Sequence, residues 1–149
     1  MVNLKHLLAA VLAVTLFIAV GAFAQERNYI NARSADEGDV SPFSGAVQTG
    51  NTLYLSGMLG LENGQVPVDP AAEARNVLDA IKSTLEEANM TMDDLVSVQI
   101  FCSDLSHYDV FNAVYRTYFT QEFPARAFVG VGSLLFDARF EIQAIAVKR

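Results

Sequence analysis

The clearest pattern of apolar and polar positions in the chain runs from Phe123 to Val147. Phe140, Ile142, Ala144 and Ala146 alternate with Glu141, Gln143, Ile145 and Val147; before them, Pro124-Ala125-Arg126 opens a run through Phe128, Val129 and Val131. Period-two alternation places successive side chains on opposite faces of a sheet, so the stretch predicts two β-strands joined by a short loop. Arg126 stands at the mouth of the first strand and Glu141 among apolar neighbours in the second. A guanidinium and a carboxylate brought together at a sheet edge can bind a small carboxylate and steer a water. The same two groups can equally form a structural ion pair.

The remaining elements follow in order. Tyr29-Ile30 suggests a short strand, and residues 43–48 and 52–56, joined through Gly50-Asn51, read as a β-hairpin. Gly57 and Gly60 then serve either a turn or a close backbone approach. Asp69-Pro70 marks a helix start, and Val77, Leu78, Ile81, Leu85 and Ala88 recur at helical spacing up to a stop at Asn89. Leu95 to Cys102 reads as a buried strand, and its order after a strand and a helix suggests a crossover connection. A second helix is signalled by Ser106, with Val110, Phe111, Val114, Tyr115, Tyr118 and Phe119 on its apolar side and Asn112 taken as a surface polar residue. The sum is an α+β domain, two helices packed on one face of a mixed sheet. Val47, Leu53, Leu55 and Phe128 are assigned to the uncovered face, an apolar patch that predicts a closed homo-oligomer with ligand sites between subunits.

Composition narrows the function classes. The 149 residues carry a net charge of −7 and 52% hydrophobic residues, enough for one domain with a real core. Clustered Lys and Arg of the kind that hold nucleic acid are missing, so nucleic acid is not an expected partner. Cys102 is the single cysteine and reads as a small buried hydrophobe. His107, with Asp104 and Asp109 nearby, reads as a solvated residue near a helix start, and one mature-chain histidine leaves no basis for a His-rich metal site or a Ser-His-Asp triad.

At the N-terminus, Lys5, the apolar run from Leu7 to Val20 and the small-x-small triplet Ala22-Phe23-Ala24 match a secretory signal. The expectation is a leader over residues 1–24, export to the periplasm or beyond, a mature domain over 25–149, and no stable membrane span after cleavage.

Five segments together resemble the RidA family of reactive-intermediate deaminases, also called YjgF-like. They are PFSGAVQTGNTLYLSG at 42–57, the helix from Glu73, FNAVYRTYF at 111–119, PAR at 124–126, and FEIQAIAVKR at 140–149. The resemblance implies a chorismate-mutase-like fold and a homotrimer with sites at subunit interfaces. It also implies hydrolysis of enamines and imines to 2-oxo acids and ammonia, without metal or organic cofactor. It assigns carboxylate binding to Arg126 and water activation to Glu141, with Asn112, Ser56 and Gly57 lining the site. The sequence departs from the family pattern at Phe43, where a tyrosine is common, at Phe128, where a cysteine is frequent, and at Leu134-Leu135 in place of Leu-Pro. Three functions are in play: an imine deaminase acting on small imino acids, a non-catalytic trimer that binds small carboxylates, and the chaperone-like or ribonuclease role of some relatives.

Overall fold

Strand order follows how much apolar surface each strand has to hide. The structure, a computed structural model, describes residues 26–32 and 42–149. The leader over residues 1–24 lies outside them, and no helix among the described residues is long and apolar enough to cross a membrane. Six strands form one sheet: β1 (Arg27–Ile30), β2 (Ala46–Thr49), β3 (Thr52–Leu59), β4 (Leu95–Cys102), β5 (Ala125–Gly130) and β6 (Phe140–Val147), in the order β1-β2-β3-β6-β4-β5. β6, whose Phe140, Ile142, Ala144 and Ala146 are all buried, sits in the interior and pairs antiparallel with both β3 and β4. β5 pairs with β4 alone, in parallel, at the sheet edge. A strand that opens after Pro124 is suited to an edge, where a missing N–H costs no ladder bond. The two strands read from sequence as a joined pair are therefore separated by β4.

The β2–β3 hairpin forms as expected, with Gly50 at φ 55° in its turn. β3 runs on past Ser56 to Leu59, its register broken by a bulge between Leu55 and Met58. Helix α1 (Pro70–Glu87) starts where Asp69 accepts a 2.9 Å bond from the Ala71 N–H, and it stops before Asn89, which takes the left-handed conformation at φ 54°. Helix α2 (Tyr108–Tyr115) is capped through a preceding 3₁₀ turn by Asp104, whose carboxylate accepts from the Ser106 N–H at 2.9 Å. His107 is half-buried, its ring edge-on to Phe140 at 6.1 Å, rather than solvated. Cys102 is buried as expected, its thiol donating to the Asp104 carbonyl at 3.0 Å, and burial raises its pKa.

Both helices pack on one face of the sheet, so Val77, Leu78, Ile81 and Leu85 of α1 and Phe111 of α2 meet Leu53, Leu55, Val98, Ile100, Phe140 and Ile142. The far-face assignment needs correction. Leu53 and Leu55 lie beside Ala146 and Ala144 on the helix-covered side, and Phe128 beside Ile100 on the same side. Only Val47 of the four, paired with Tyr54, lies on the open face, where Tyr54 and Ile145 are mixed with Ser97, Gln99 and Gln143.

The exit from α2 is fixed by Asp93. Its carboxylate accepts from the Thr120 hydroxyl, the Thr120 N–H at 3.0 Å and the Gln121 N–H at 3.3 Å, which sets the path into Phe123 and Pro124. The Thr120 hydroxyl is the main reason the Asp93 pKa lies below the ordinary value. A depressed folded-state pKa adds stability that is complete above the unfolded value of about 3.9 and is lost as pH falls through the folded value. Thr120→Val is expected to raise the Asp93 pKa, which an NMR titration of the carboxyl carbon measures; an unmoved pKa contradicts the assignment.

Candidate active site

Asn112 and Tyr115 stand three residues apart on α2 and therefore share its buried side with Phe111. Asn112 is only 8% exposed, which overturns its reading as a surface residue. Its partner is Arg126: on β5, Arg126 and Phe128 point toward the helices while Ala125, Ala127 and Val129 point away. The Arg126 Nη1 donates to Asn112 Oδ1 at 2.7 Å. A guanidinium has donors only, so the amide must present its oxygen. The Arg126 Cζ also lies 4.8 Å from the centre of the Tyr115 ring and 5.9 Å from that of Phe128. Among the described residues Arg126 pairs with no carboxylate. Its charge is held in place but left uncompensated, the condition for binding an anion.

The guanidinium opens onto a cavity of about 190 Å³ lined by Asn112, Tyr115, Arg116, Phe123, Pro124 and Arg126. Tyr115 is 3% exposed, and its hydroxyl finds no hydrogen-bond partner among the described residues. Burial pushes the phenol up to about 12 against the opposing pull of the Arg126 charge, so at neutral pH it is a donor. Phe128 is not in the cavity wall; its ring packs edge-on to Tyr108 at 5.0 Å and Phe111 at 5.5 Å, supporting the cavity from beneath. A larger depression of about 850 Å³ holds none of the predicted residues, and its Tyr118 hydroxyl already donates to Asp79 at 2.8 Å.

The other predicted residues gather elsewhere. Glu141 alternates with the buried Phe140 and Ile142, pairs with Phe101 and Leu59, and points to the open face. Its carboxylate lies against Gly57, where any Cβ would collide with Oε1. The Ser56 hydroxyl donates to the Ser44 carbonyl at 2.7 Å and its N–H to the Gly45 carbonyl at 3.0 Å, next to Phe43, which is 56% exposed. Within one chain, Arg126 and Asn112 are thus on the helix side of the sheet and Glu141 on the opposite side. They form no ion pair and share no cavity.

A family model described as Endoribonuclease L-PSP matches residues 33–148. The chain belongs to the RidA/YjgF family. It is 38% identical over 115 residues to 2-iminobutanoate/2-iminopropanoate deaminase of Escherichia coli strain K12, an alignment that covers 74% of this chain and 90% of that protein. Among solved structures, the E. coli YjgF gene product has a TM-score of 0.71 at 36% identity, over 82% of this chain and 94% of its own. E. coli TdcF with bound serine has a TM-score of 0.73 at 28% identity, over 82% and 100%. The α+β fold with two helices on one face agrees with these family neighbours.

Four residues that matter for this family member's geometry do not stand out by motif in the sequence. Tyr115 reads as core, although its spacing from Asn112 puts the two on one helix face. Arg116 next to it belongs to no recognisable motif of its own. Glu73, fully buried, and Arg139, half-buried, form an ion pair at 2.7 Å, and the sequence carries a signal for Glu73: it stands four residues before Val77, in the apolar stripe of α1.

Proposed function

We propose that this family member hydrolyses the C=N bond of small 2-imino acids, giving 2-oxo acids and ammonia. The observation that carries the reading is Arg126, uncompensated by any carboxylate among the described residues and locked by Asn112 and Tyr115 at the wall of a small cavity. A fixed guanidinium fork orients a substrate carboxylate, and orientation alone is worth on the order of 7 kcal/mol in favourable cases. The chemistry asks for little more. Water oxygen bonds to the imine carbon while the C=N electron pair moves to nitrogen, which takes up a proton. A second proton then goes to the nitrogen of this adduct, the C–N bond breaks as the hydroxyl loses its proton, and ammonia and the 2-oxo acid leave. A carboxylate that passes these protons contributes roughly 10² to 10⁴ in rate.

Glu141 is the group we assign to that transfer, supplied by a neighbouring copy, because its own chain holds it across the sheet from Arg126. Self-assembly into the trimer that the family resemblance implies is supported by exposed Tyr54, Val96, Leu135 and Phe136. The family model's name points to RNA cleavage instead, but a net charge of −7 disfavours contact with a phosphate backbone.

The test uses imines made in situ by an amino-acid oxidase. Wild-type protein is expected to speed ammonia release, and Arg126→Ala and Glu141→Ala proteins to fail singly. Unfolded and refolded together, the two variants should regain part of the activity through mixed assemblies, each supplying the residue the other lacks. No rescue contradicts the shared site; 2-oxo acid binding by wild type without turnover selects a carboxylate-binding protein over an enzyme.

A further inference from the structure

We infer that the Arg126 cavity is built for a dicarboxylic substrate, a 2-imino diacid of four or five carbons. The inference rests on the deaminase reading for the word substrate and concerns what that site prefers.

Two arginines, Arg116 and Arg126, stand in the wall of one cavity of about 190 Å³, and no Asp or Glu is among the lining residues. Neither arginine pairs with a carboxylate among the described residues. In a chain of net charge −7, a small concave site to which the chain itself contributes two positive charges and no negative one is a local feature and not a reflection of the whole surface. A monocarboxylate matches one of these charges, and a diacid matches both. The size suits a small acid: the cavity lies below the roughly 300–1,000 Å³ of pockets that take drug-sized ligands.

The second observation is the Tyr115 hydroxyl: Tyr115 precedes Arg116 on the helix and lines the same wall, and its hydroxyl is buried without a partner among the described residues. A buried phenolic donor calls for an acceptor, and a carboxylate oxygen is the strongest one a small acid offers. In this arrangement Arg126 takes the carboxylate next to the imine carbon, Arg116 the distal one, and the methylene bridge lies along Phe123 and Pro124. Water addition and loss of ammonia proceed as above, and the product is a 2-oxo diacid. A cation here also favours the C-terminal end of the α2 dipole, an effect read in melting temperature and not in ligand preference.

Calorimetry on the full assembly with 2-oxoglutarate and 2-oxobutanoate measures the preference directly. Wild type is expected to bind the diacid about tenfold more tightly or better, as one partly exposed charge-assisted pair would give. Arg116→Ala should cost the diacid about tenfold more than it costs the monoacid, and Arg116→Lys should restore part of the difference. Equal binding of the two acids by wild type, or an equal loss for both in Arg116→Ala, overturns the inference. Ammonia release from 2-iminosuccinate and 2-iminopropanoate, each made in situ, separates the two levels. No turnover of either sinks the deaminase reading, whereas turnover of both at equal efficiency leaves that reading standing and removes the diacid preference.

Discussion

Arg126→Ala is expected to lower kcat/KM for a 2-imino acid by about 10² to 10⁴, the scale at which truncating one partner of a buried, hydrogen-bonded charge pair is felt. The loss should appear in kcat as well as KM, because the guanidinium fixes the angle at which water meets the imine carbon and not only the affinity. Arg126→Lys keeps the charge but not the planar fork, so it should recover binding more than turnover. The cost to the fold is smaller. Among the described residues Arg126 makes one side-chain hydrogen bond, to Asn112 Oδ1, and the orphaned amide of a residue only 8% exposed costs about 1–3 kcal/mol. Steady-state kinetics beside thermal melts separate the two effects. An activity loss no larger than the melt accounts for would remove Arg126 from the chemistry.

Glu73→Ala is expected to be strongly destabilising, by about 3–5 kcal/mol, because it strips the fully buried carboxylate from an ion pair. Glu73 is fully buried, and its two oxygens take the Arg139 Nη1 at 2.7 Å, the Arg139 N–H at 2.7 Å and the Phe140 N–H at 3.2 Å. Arg139 in turn donates to the carbonyls of Pro67 at 2.8 Å and Val68 at 3.2 Å. One carboxylate therefore joins the start of α1, the loop before it and the first residues of β6. Removal leaves two backbone donors without an acceptor and a half-buried guanidinium that keeps the Pro67 and Val68 carbonyls but loses its counter-charge. For a domain of this size the melting temperature should fall on the order of 10 °C. Glu73→Gln, which keeps one acceptor oxygen, should lose less; a loss under about 1 kcal/mol in urea unfolding of Glu73→Ala would contradict the assignment. Since Phe140 precedes Glu141, the same clamp sets where the proposed proton-transfer carboxylate stands.

The positions of the elements were legible because local rules fix them. Asp69-Pro70 and Asn89 bracket α1 through cap chemistry, and the strict alternation of residues 140–147 allows only a strand with one face buried. Strand neighbours were not legible. Residues 125–130 and 140–147 adjoin in sequence, yet β4 lies between them because the crossover through α2 returns β5 parallel to β4, and the most apolar strand takes the interior. Parity held the missing information. Arg126 is in phase with Phe128, which packs under α2, while Glu141 is out of phase with Phe140 and Ile142. Asn112 illustrates the other limit, since nothing in an asparagine's type tells that a guanidinium waits to satisfy it.

The contact between Gly57 and the Glu141 carboxylate has an evolutionary reading. A single methyl at position 57 would take the space of Glu141 Oε1, so the acid would have to swing away from the place it now holds. In an alignment of relatives, a residue larger than glycine at 57 should be accompanied by a shorter side chain at 141, and lineages that have traded away the one should have surrendered the other.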